Sequence, residues 1–294
     1  MLFPGFTTQD FGVNGTTIRA VHGGNKAGLP LLLLHGHPQT HAMWHLVAPA
    51  LAEQFYVVAA DLRGYGDSAK VPGNADHSNY SKRVMAQDQV ELMHALGFER
   101  FLLCAHDRGA RVGHRMCLDH PAAVEKAVLL DIAPTLAMYE QTTMEFARAY
   151  WHWFFMIQPP PFPETVLGAD PEHFITKHMS RGPKGKALFA PEAFAEYLRC
   201  AKLPGTIHAF CEDYRAAASI DLEHDRIDRA AGRKVKSPLR VFWGKEGTIE
   251  RCFKPMDEWR KAAEAVGGQA FPCGHYIAEE VPHMLLSEID FFFS

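Results

Sequence analysis

Four short apolar runs in the first half of the chain constrain its fold more than any other feature. Each run is four or five residues long and ends against glycine or a polar residue, which is typical of strands buried on both faces of a parallel sheet. Helical patterns over 84–96 and 110–119 lie between such runs and predict a doubly wound, mostly parallel α/β sheet. The runs are residues 31–34, 56–60, 101–104 and 127–130.

The pattern changes after these runs. Residues 135–232 carry long helical patterns and an aromatic run at 150–155, and strand patterns return only at 239–244 and 269–271. We therefore predict an α/β core in two parts, 1–134 and 233–294, interrupted by a helical insertion over 135–232. The insertion is expected to lie as a cap over the carboxyl ends of the strands, where doubly wound sheets place their binding sites.

Composition excludes several classes of protein. Of 294 residues, 47% are apolar and 22% charged, and the net charge of −4 gives no reason to expect a nucleic-acid partner. The six cysteines show no C-x-x-C spacing, which favours reduced thiols and a cytoplasmic location. A signal peptide is not expected at the N-terminus. No segment reaches the roughly 18 uninterrupted apolar residues that span a bilayer, so no membrane partner is expected either.

The most informative motif is Ala105-His106-Asp107-Arg108-Gly109-Ala110-Arg111, directly after the run at 101–104. The small residues Ala105 and Gly109 permit a tight strand-to-helix turn that exposes the Asp107 side chain beside a helix N-terminus. An ionised aspartate can attack a saturated carbon that bears a leaving group, but it is poor against amides and ordinary esters. The motif therefore favours an alkyl halide or an epoxide as substrate. The alternative is an aspartate that only caps the next helix.

Hydrolysis of the aspartyl ester formed in this way needs a base for water. His275 follows the last strand pattern and suits that role if a carboxylate orients it. Asp131 ends the strand after the motif, whereas Glu246 and Glu250 follow the strand at 239–244, the more usual position of the acid. We favour Asp131 because it lies directly at a strand end, and the two glutamates remain alternatives.

Two arginines distinguish the motif further. Arg108 follows Asp107 and Arg111 lies one helical turn on, so both can face the same pocket. Arginine binds carboxylates bidentately, and the pair suggests a small anionic substrate, the alternative being arginines paired with acidic neighbours. Backbone N–H groups of Arg108 and His37 are expected to stabilise the oxyanion of ester hydrolysis.

With these motifs the chain resembles the haloacetate dehalogenases of the α/β-hydrolase fold, those that act on fluoroacetate in particular. The resemblance covers nearly the whole chain, insertion included. The motifs at 35–40 and 61–68 are shared with epoxide hydrolases. The combination of the D-R-G-x-R motif at 107–111 and the W-H-W motif at 151–153 is much more specific. The motifs are His35-Gly36-x-Pro38-Gln39-Thr40, Asp61-Leu62-Arg63-Gly64-Tyr65-Gly66-Asp67-Ser68, His106-Asp107-Arg108-Gly109-Ala110-Arg111, Tyr150-Trp151-His152-Trp153-Phe154-Phe155, Asp213-Tyr214-Arg215-Ala216-Ala217 and Ile220-Asp221-Leu222-Glu223-His224-Asp225.

The resemblance implies a hydrolytic dehalogenase that converts a small 2-haloacetate to glycolate and halide through an ester on the aspartate. It also implies a homodimer, and the reaction needs no cofactor. The implied roles are Asp107 as nucleophile, His275 as base, Asp131 as its acid, Arg108 and Arg111 as ligands of the substrate carboxylate, and His152, Trp153 and Tyr214 as donors to the departing halide.

Three other aromatic residues of the W-H-W run, Trp151, Phe154 and Phe155, are expected to pack inside the cap. His37 departs from the family, which usually has phenylalanine there, and fluoride preference is thus less firmly implied than dehalogenation. The spacing of His35, His37, His41 and His45 invites a metal site. We expect none, because no carboxylate or cysteine clusters with them.

Two other functions remain as alternatives. An epoxide hydrolase uses the same nucleophile, base and ester, but an arginine pair would serve a neutral epoxide poorly, and a haloalkane dehalogenase is disfavoured on similar grounds. A non-catalytic binding protein could retain the fold without the chemistry. The presence of nucleophile, acid and base in workable order argues against it.

Overall fold

A computed structural model describes residues 2–182 and 185–294 of the chain. In this part of the chain eight strands form a single sheet. The strands are β1 (Thr7–Val13), β2 (Thr16–Gly24), β3 (Pro30–Leu34), β4 (Tyr56–Ala60), β5 (Phe101–His106), β6 (Val124–Leu130), β7 (Leu239–Gly244) and β8 (Val266–Phe271).

The sheet order is β1-β2-β4-β3-β5-β6-β7-β8. Strands β3 to β8 are parallel to one another, whereas β1 and β2 form an antiparallel hairpin that pairs with the edge of β4. The six strands predicted from apolar runs are all present. The hairpin was not predicted, because five of the seven residues of β1 are exposed and the strand contains no apolar run.

Helices follow most strands and cover the sheet. They are α1 (Ala48–Leu51), α2 (Lys82–Ala95), α3 (Asp107–Asp119), α4 (Thr135–Glu140), α5 (Met144–Ala149), α6 (Trp151–Phe155), α7 (Phe162–Gly168), α8 (Pro171–Met179), α9 (Pro191–Ala201), α10 (Thr206–Ala218), α11 (Ile220–Ala230), α12 (Thr248–Cys252), α13 (Pro255–Ala262), α14 (Ile277–Glu280) and α15 (Pro282–Phe293), with short 3₁₀ turns at His41–Trp44, Ser78–Tyr80 and Gly185–Leu188. Within the described ranges, no helix is both long and apolar enough to cross a membrane.

Between β6 and β7 the described residues form the helices α4 to α11 and one 3₁₀ turn, joined by loops. Its residues reach the carboxyl ends of the strands, since Asp213 of α10 bonds to Arg108 at the start of α3. The helices therefore occupy the region expected of the cap. The division into a core of 1–134 and 233–294 with a cap over 135–232 remains a prediction.

Parallel register brings the polar residues that follow the strands to one edge of the sheet. Leu34 pairs with Ala105 and His106 pairs with Leu130, so the chain leaves β3, β5 and β6 at the same level. Consequently the segments beginning at His35, Asp107 and Asp131 lie side by side. The functional residues predicted at strand ends are thus neighbours in space.

Candidate active site

Asp107 lies on a tight turn between β5 and α3. Its φ of 45° is in the left-handed region, which a non-glycine residue occupies only when its surroundings impose it. Two glycines make room for the turn. A Cβ on Gly36 would lie 2.5 Å from the Cβ of Asp107, and one on Gly109 would lie 2.3 Å from the carbonyl oxygen of His35. The strand-to-helix turn predicted from the sequence is therefore present, with Asp107 only 4% exposed.

A backbone donor already contacts the Asp107 carboxylate. The N–H of His37 donates to Oδ1 at 2.9 Å. The other oxygen, Oδ2, does not receive this hydrogen bond, and its role as the attacking atom remains a prediction. The geometry matches half of the predicted oxyanion site, and the backbone N–H of Arg108 remains a prediction.

His275 bonds to Asp131 at the same edge of the sheet. The Nδ1 atom of His275 is hydrogen-bonded to Oδ2 of Asp131, and Oδ1 of Asp131 accepts the N–H of Gly244 at 2.8 Å. The two glutamates considered as alternatives lie elsewhere. Glu250 accepts a bond from the indole of Trp243 at 2.5 Å, and Glu246 is exposed. Of the three candidate carboxylates, Asp131 is therefore the one that bonds to His275.

Charges around the nucleophile decide its protonation. Burial alone would raise the pKa of Asp107, but the positive charges of His275, Arg111 and Arg108 outweigh it and lower that pKa to about 2. Burial alone would lower the pKa of His275, but the hydrogen bond and charge of Asp131 raise it above 6.5. At neutral pH Asp107 is thus ionised, and it lies beside a histidine whose pKa is raised by its carboxylate partner.

Arg111 is a buried cation whose hydrogen bonds go to neutral acceptors. Its Nη1 donates to the carbonyl of Ala133 at 3.2 Å and to Oγ1 of Thr135 at 3.0 Å, and its Nη2 contacts the sulfur of Met138 at 3.2 Å. The Nε atom is buried with no partner among the described residues. A buried charge without a carboxylate partner is costly, and an anionic substrate would supply that partner.

Arg108 has a different environment, because its charge is matched by Asp213. Nε donates to Oδ2 of Asp213 at 2.8 Å, and Nη2 donates to Oδ1 at 2.9 Å. The same carboxylate accepts bonds from the hydroxyl of Tyr65 and from Nζ of Lys82. Only Nη1 of Arg108 is left buried without a partner within the described residues. The interpretation of an arginine paired with an acidic neighbour thus applies to Arg108, although the pair is buried rather than on the surface.

Two of the three side chains predicted to bind the halide lie over the arginines. The Arg108 guanidinium lies 4.1 Å from the ring centre of Tyr214, and that of Arg111 lies 4.6 Å from the ring centre of Trp153. The third, His152, lies with its ring centre 5.7 Å from that of Tyr214. Nε1 of Trp153 and Nδ1 of His152 are buried, and neither has a partner in the described parts of the chain. The three side chains are therefore neighbours, and two of them have a ring nitrogen available for a ligand.

Sequence reasoning missed several residues of this pocket. His178 of α8 lies with its ring centre 4.4 Å from that of His152, and the hydroxyl of Tyr139 is buried without a partner in the described ranges. No motif marked either residue. The expectation for Trp151 was wrong, since this side chain is 42% exposed and lies on the surface of the cap. In a five-residue helix its neighbours His152 and Trp153 take the inner face.

Two of the four histidines considered for a metal site share a carboxylate, so the expectation that none would lie beside them was wrong. Oδ1 of Asp61 lies 2.9 Å from Nδ1 of His41 and 3.9 Å from Nε2 of His35. The ring of His35 accepts the N–H of Leu62, that of His41 bonds to Asp61, and that of His45 bonds to the carbonyl of Ala42. His37 instead faces the pocket, and burial lowers its pKa to about 3, so the ring is neutral. The absence of a functional metal stays a prediction.

Comparison with known proteins agrees with this geometry. The model of the α/β-hydrolase fold family matches residues 30–286, and the chain therefore belongs to the α/β-hydrolase family. Within that family it is 46% identical to the fluoroacetate dehalogenase of Burkholderia sp over 96% of this chain and 91% of that protein. The expectations of an α/β-hydrolase fold, of a hydrolase and of kinship with the haloacetate dehalogenases are thereby confirmed.

Two other proteins are similar to the chain over nearly its whole length. The soluble epoxide hydrolase of Corynebacterium sp. (strain C12) is 32% identical over 96% of this chain and 95% of that protein. The crystal structure of ALR0039, an α/β hydrolase from Nostoc sp PCC 7120, superposes with a TM-score of 0.96 at 51% identity and covers 100% of this chain and 99% of its own. Epoxide hydrolysis thus remains the rival activity.

Proposed function

We propose that the protein hydrolyses small 2-haloacetates, fluoroacetate or chloroacetate, to glycolate and halide through an ester on Asp107. The observation that carries the proposal is the state of Arg111. This buried cation lies one helical turn from an ionised nucleophile, and the hydrogen bonds that it makes within the described residues go to neutral acceptors. Such a site favours a substrate that brings its own carboxylate, as a haloacid does and an epoxide does not.

In the first step Arg111, with Nη1 of Arg108, binds the substrate carboxylate. The Asp107 carboxylate attacks the α-carbon in line with the carbon–halogen bond, which breaks as the new C–O bond forms. Trp153, His152 and Tyr214 donate hydrogen bonds to the halide as its charge develops. Because these donors are buried, they act in a water-poor site and stabilise that charge more than exposed donors would.

In the second step His275 removes a proton from water, which attacks the ester carbonyl on Asp107. The negative charge collects on Oδ1, which the N–H of His37 already contacts. Asp131 holds the tautomer of His275 with its free nitrogen available for water, and it stabilises the imidazolium that forms. As the intermediate collapses, its bond to the glycolate oxygen breaks and that oxygen takes the proton from the imidazolium of His275. The proton left on the carboxyl group of Asp107 passes to solvent, which restores the carboxylate.

The setting in which the enzyme works is also a proposal. We propose a cytoplasmic homodimer that needs no cofactor or metal and acts on a 2-haloacid and water, without a nucleic-acid or membrane partner. Cys104, Cys117, Cys200, Cys211 and Cys252 are free thiols in the structure, which supports a reducing compartment.

A panel of substrates tests the function. Purified protein is offered fluoroacetate, chloroacetate and styrene oxide in parallel, and halide release and diol formation are measured. We expect halide and glycolate from at least one haloacetate and no diol, because the buried Arg111 has no partner in an epoxide complex. Diol without halide would establish the epoxide hydrolase instead. The absence of both halide and diol would favour a non-catalytic binding protein.

The two steps should respond differently to pH. His275 must be neutral to accept a proton, and its pKa is raised, so kcat should fall as the pH drops through that pKa. Asp107 stays ionised far below this, since its pKa is about 2. At about pH 5 we therefore expect one equivalent of halide per site in a rapid burst, followed by little turnover. Burst and steady rate falling together would contradict the separate roles.

A further inference from the structure

The predicted nucleophile and the predicted ligands of the substrate are closed off from solvent in this structure, whereas the side chain of His275 is 20% exposed. Asp107, Arg111 and Trp153 are all buried, and so are the other predicted ligands of the substrate. A haloacetate must therefore pass a layer of side chains to reach the nucleophile, and the halide must pass one to leave. The place where this layer is thinnest identifies an access route.

A groove on the outer surface of the cap approaches the site from one side. It lies between α6, α7 and α8, and its outer part includes Trp151, Val166 and Lys177. Its floor is one face of α8, formed by positions 170, 173, 174, 177 and 178. His173 and Lys177 on this face are exposed, whereas Phe174 and His178 are buried at the inner end.

A single layer of rings, those of Phe174 and His178, lies between the groove and the side chains predicted to bind the halide. Phe174 and His178 line the groove and also touch the pocket from its outer side. The ring centre of His178 lies 4.4 Å from that of His152 and 5.1 Å from that of His37. Phe174 lies 6.2 Å from His37. A rotation of these two side chains would join the groove to the active site.

The lining of this path suits an anion. Nδ1 of His178, Nδ1 of His152 and both ring nitrogens of His37 are buried without a partner in the described residues, so they form a series of unused polar atoms between pocket and groove. Burial lowers the pKa of both His152 and His178, and the nearby charge of Arg181 acts in the same direction, so both rings are neutral. Neutral imidazoles can donate to a passing anion without trapping it as a strong ion pair.

The groove lining holds one cation and one carboxylate. Lys177 is exposed in the groove, and Asp170 caps α8 by accepting the N–H of His173 at 2.9 Å. A second cation, Arg181, lies outside the lining but next to His178, because its Nε donates to the carbonyl of His178 at 2.8 Å and its Nη1 donates to the carbonyl of Ala149 at 2.6 Å.

We infer that this groove is the route by which the anionic substrate enters and the halide leaves, with Phe174 and His178 as its gate. The inference rests on the proposed function, because it requires an anionic substrate. It assigns a role to His178 and to the ring of His37, which the two-step mechanism leaves unused.

A reversible block tests the route. Val166→Cys places a thiol in the groove at a residue that is 51% exposed and outside the catalytic machinery. The variant is treated with a bulky methanethiosulfonate reagent, and labelling is checked by mass. We expect kcat/KM for chloroacetate to fall by about ten-fold or more, and to recover when dithiothreitol removes the label.

Two controls accompany the block. Wild-type protein treated with the reagent accounts for the partly buried Cys252, and Ile227→Cys carries the same label on an exposed residue of the cap outside the groove. Neither should lose activity. Complete labelling of Val166→Cys with less than about two-fold change in kcat/KM would overturn the route. An inactive wild-type protein would instead overturn the proposed function, so the two failures are distinct.

A charge reversal provides a second, independent measurement. Lys177→Glu should raise KM for chloroacetate about three-fold at low salt, with kcat unchanged and with the effect lost at high salt. Lys26→Glu is the matched control, because Lys26 is exposed between β2 and β3 at the opposite edge of the sheet. Equal effects of the two reversals would contradict a route through the groove.

Discussion

Replacing His275 with glutamine is expected to stop the enzyme after a single halide has been released per site. Asp107 remains ionised and the cap donors remain in place, so the displacement step proceeds. Water is no longer activated, and the ester persists. Steady-state turnover should fall by about 10³-fold or more, as for loss of other catalytic bases. Halide measured against enzyme concentration in a rapid-mixing experiment gives the stoichiometry.

His283→Gln is the matched control for this variant. His283 is exposed at the start of α15, only eight positions from His275, and it lies outside the site. The control should turn over at the wild-type rate. Continued turnover of His275→Gln, or loss of the first halide as well as of later ones, would show that His275 does not act only in the second step.

Replacing Arg111 with leucine is expected to reduce kcat/KM for chloroacetate by about 10² to 10³-fold, the usual cost of removing one partner of a buried ion pair. Most of this loss should appear in KM, because Arg111 binds a carboxylate that does not change during the reaction. The neutral analogue 2-chloroacetamide has no charge to pair with Arg111. Its kcat/KM should change little, so the ratio between the two substrates reports the role directly.

Folding of the variant is checked by circular dichroism and thermal unfolding, since Arg111 also bonds to Ala133 and Thr135. Arg111→Lys is the conservative comparison and should retain part of the preference for the acid, because lysine keeps the charge but not the bidentate geometry. Equal losses on the acid and the amide would mean that Arg111 only maintains the fold, and the proposed substrate class would then lose its main support.

The core of the site was predictable because its residues follow buried strands. Parallel strands end at one edge, so polar residues after strand patterns meet there whatever their distance in sequence. For this reason the strand patterns alone were enough to predict that Asp107 and Asp131 lie close together. The choice of Asp131 over Glu250 also agrees with the structure, since the bond to His275 is made by Asp131.

The cap was predictable only in part. The W-H-W motif pointed to His152 and Trp153, but which face of a five-residue helix turns inward depends on how the helices pack, and this made the expectation for Trp151 wrong. The same holds for His178, which reaches the pocket from α8 without a sequence motif. Short helices give too few turns for hydrophobic periodicity to assign an inner face.

Ion pairs between residues far apart in the sequence could not be predicted from the sequence either. Arg108 and Asp213 are 105 positions apart, and the bond forms only because α10 crosses the start of α3. In the sequence the two arginines look equivalent. In the structure Arg108 is paired with Asp213 of α10, whereas the acceptors bonded to Arg111 among the described residues are neutral. Buried pairs of this kind restrict geometry more than they add stability.

The most direct test of the covalent mechanism is the mass of the peptide that contains Asp107. His275→Gln protein is incubated with chloroacetate, quenched and digested, and the peptide is compared with that from untreated protein. We expect a gain of one carboxymethyl group, with fragmentation placing it on Asp107. An unmodified peptide from protein that has released halide would contradict the aspartyl ester.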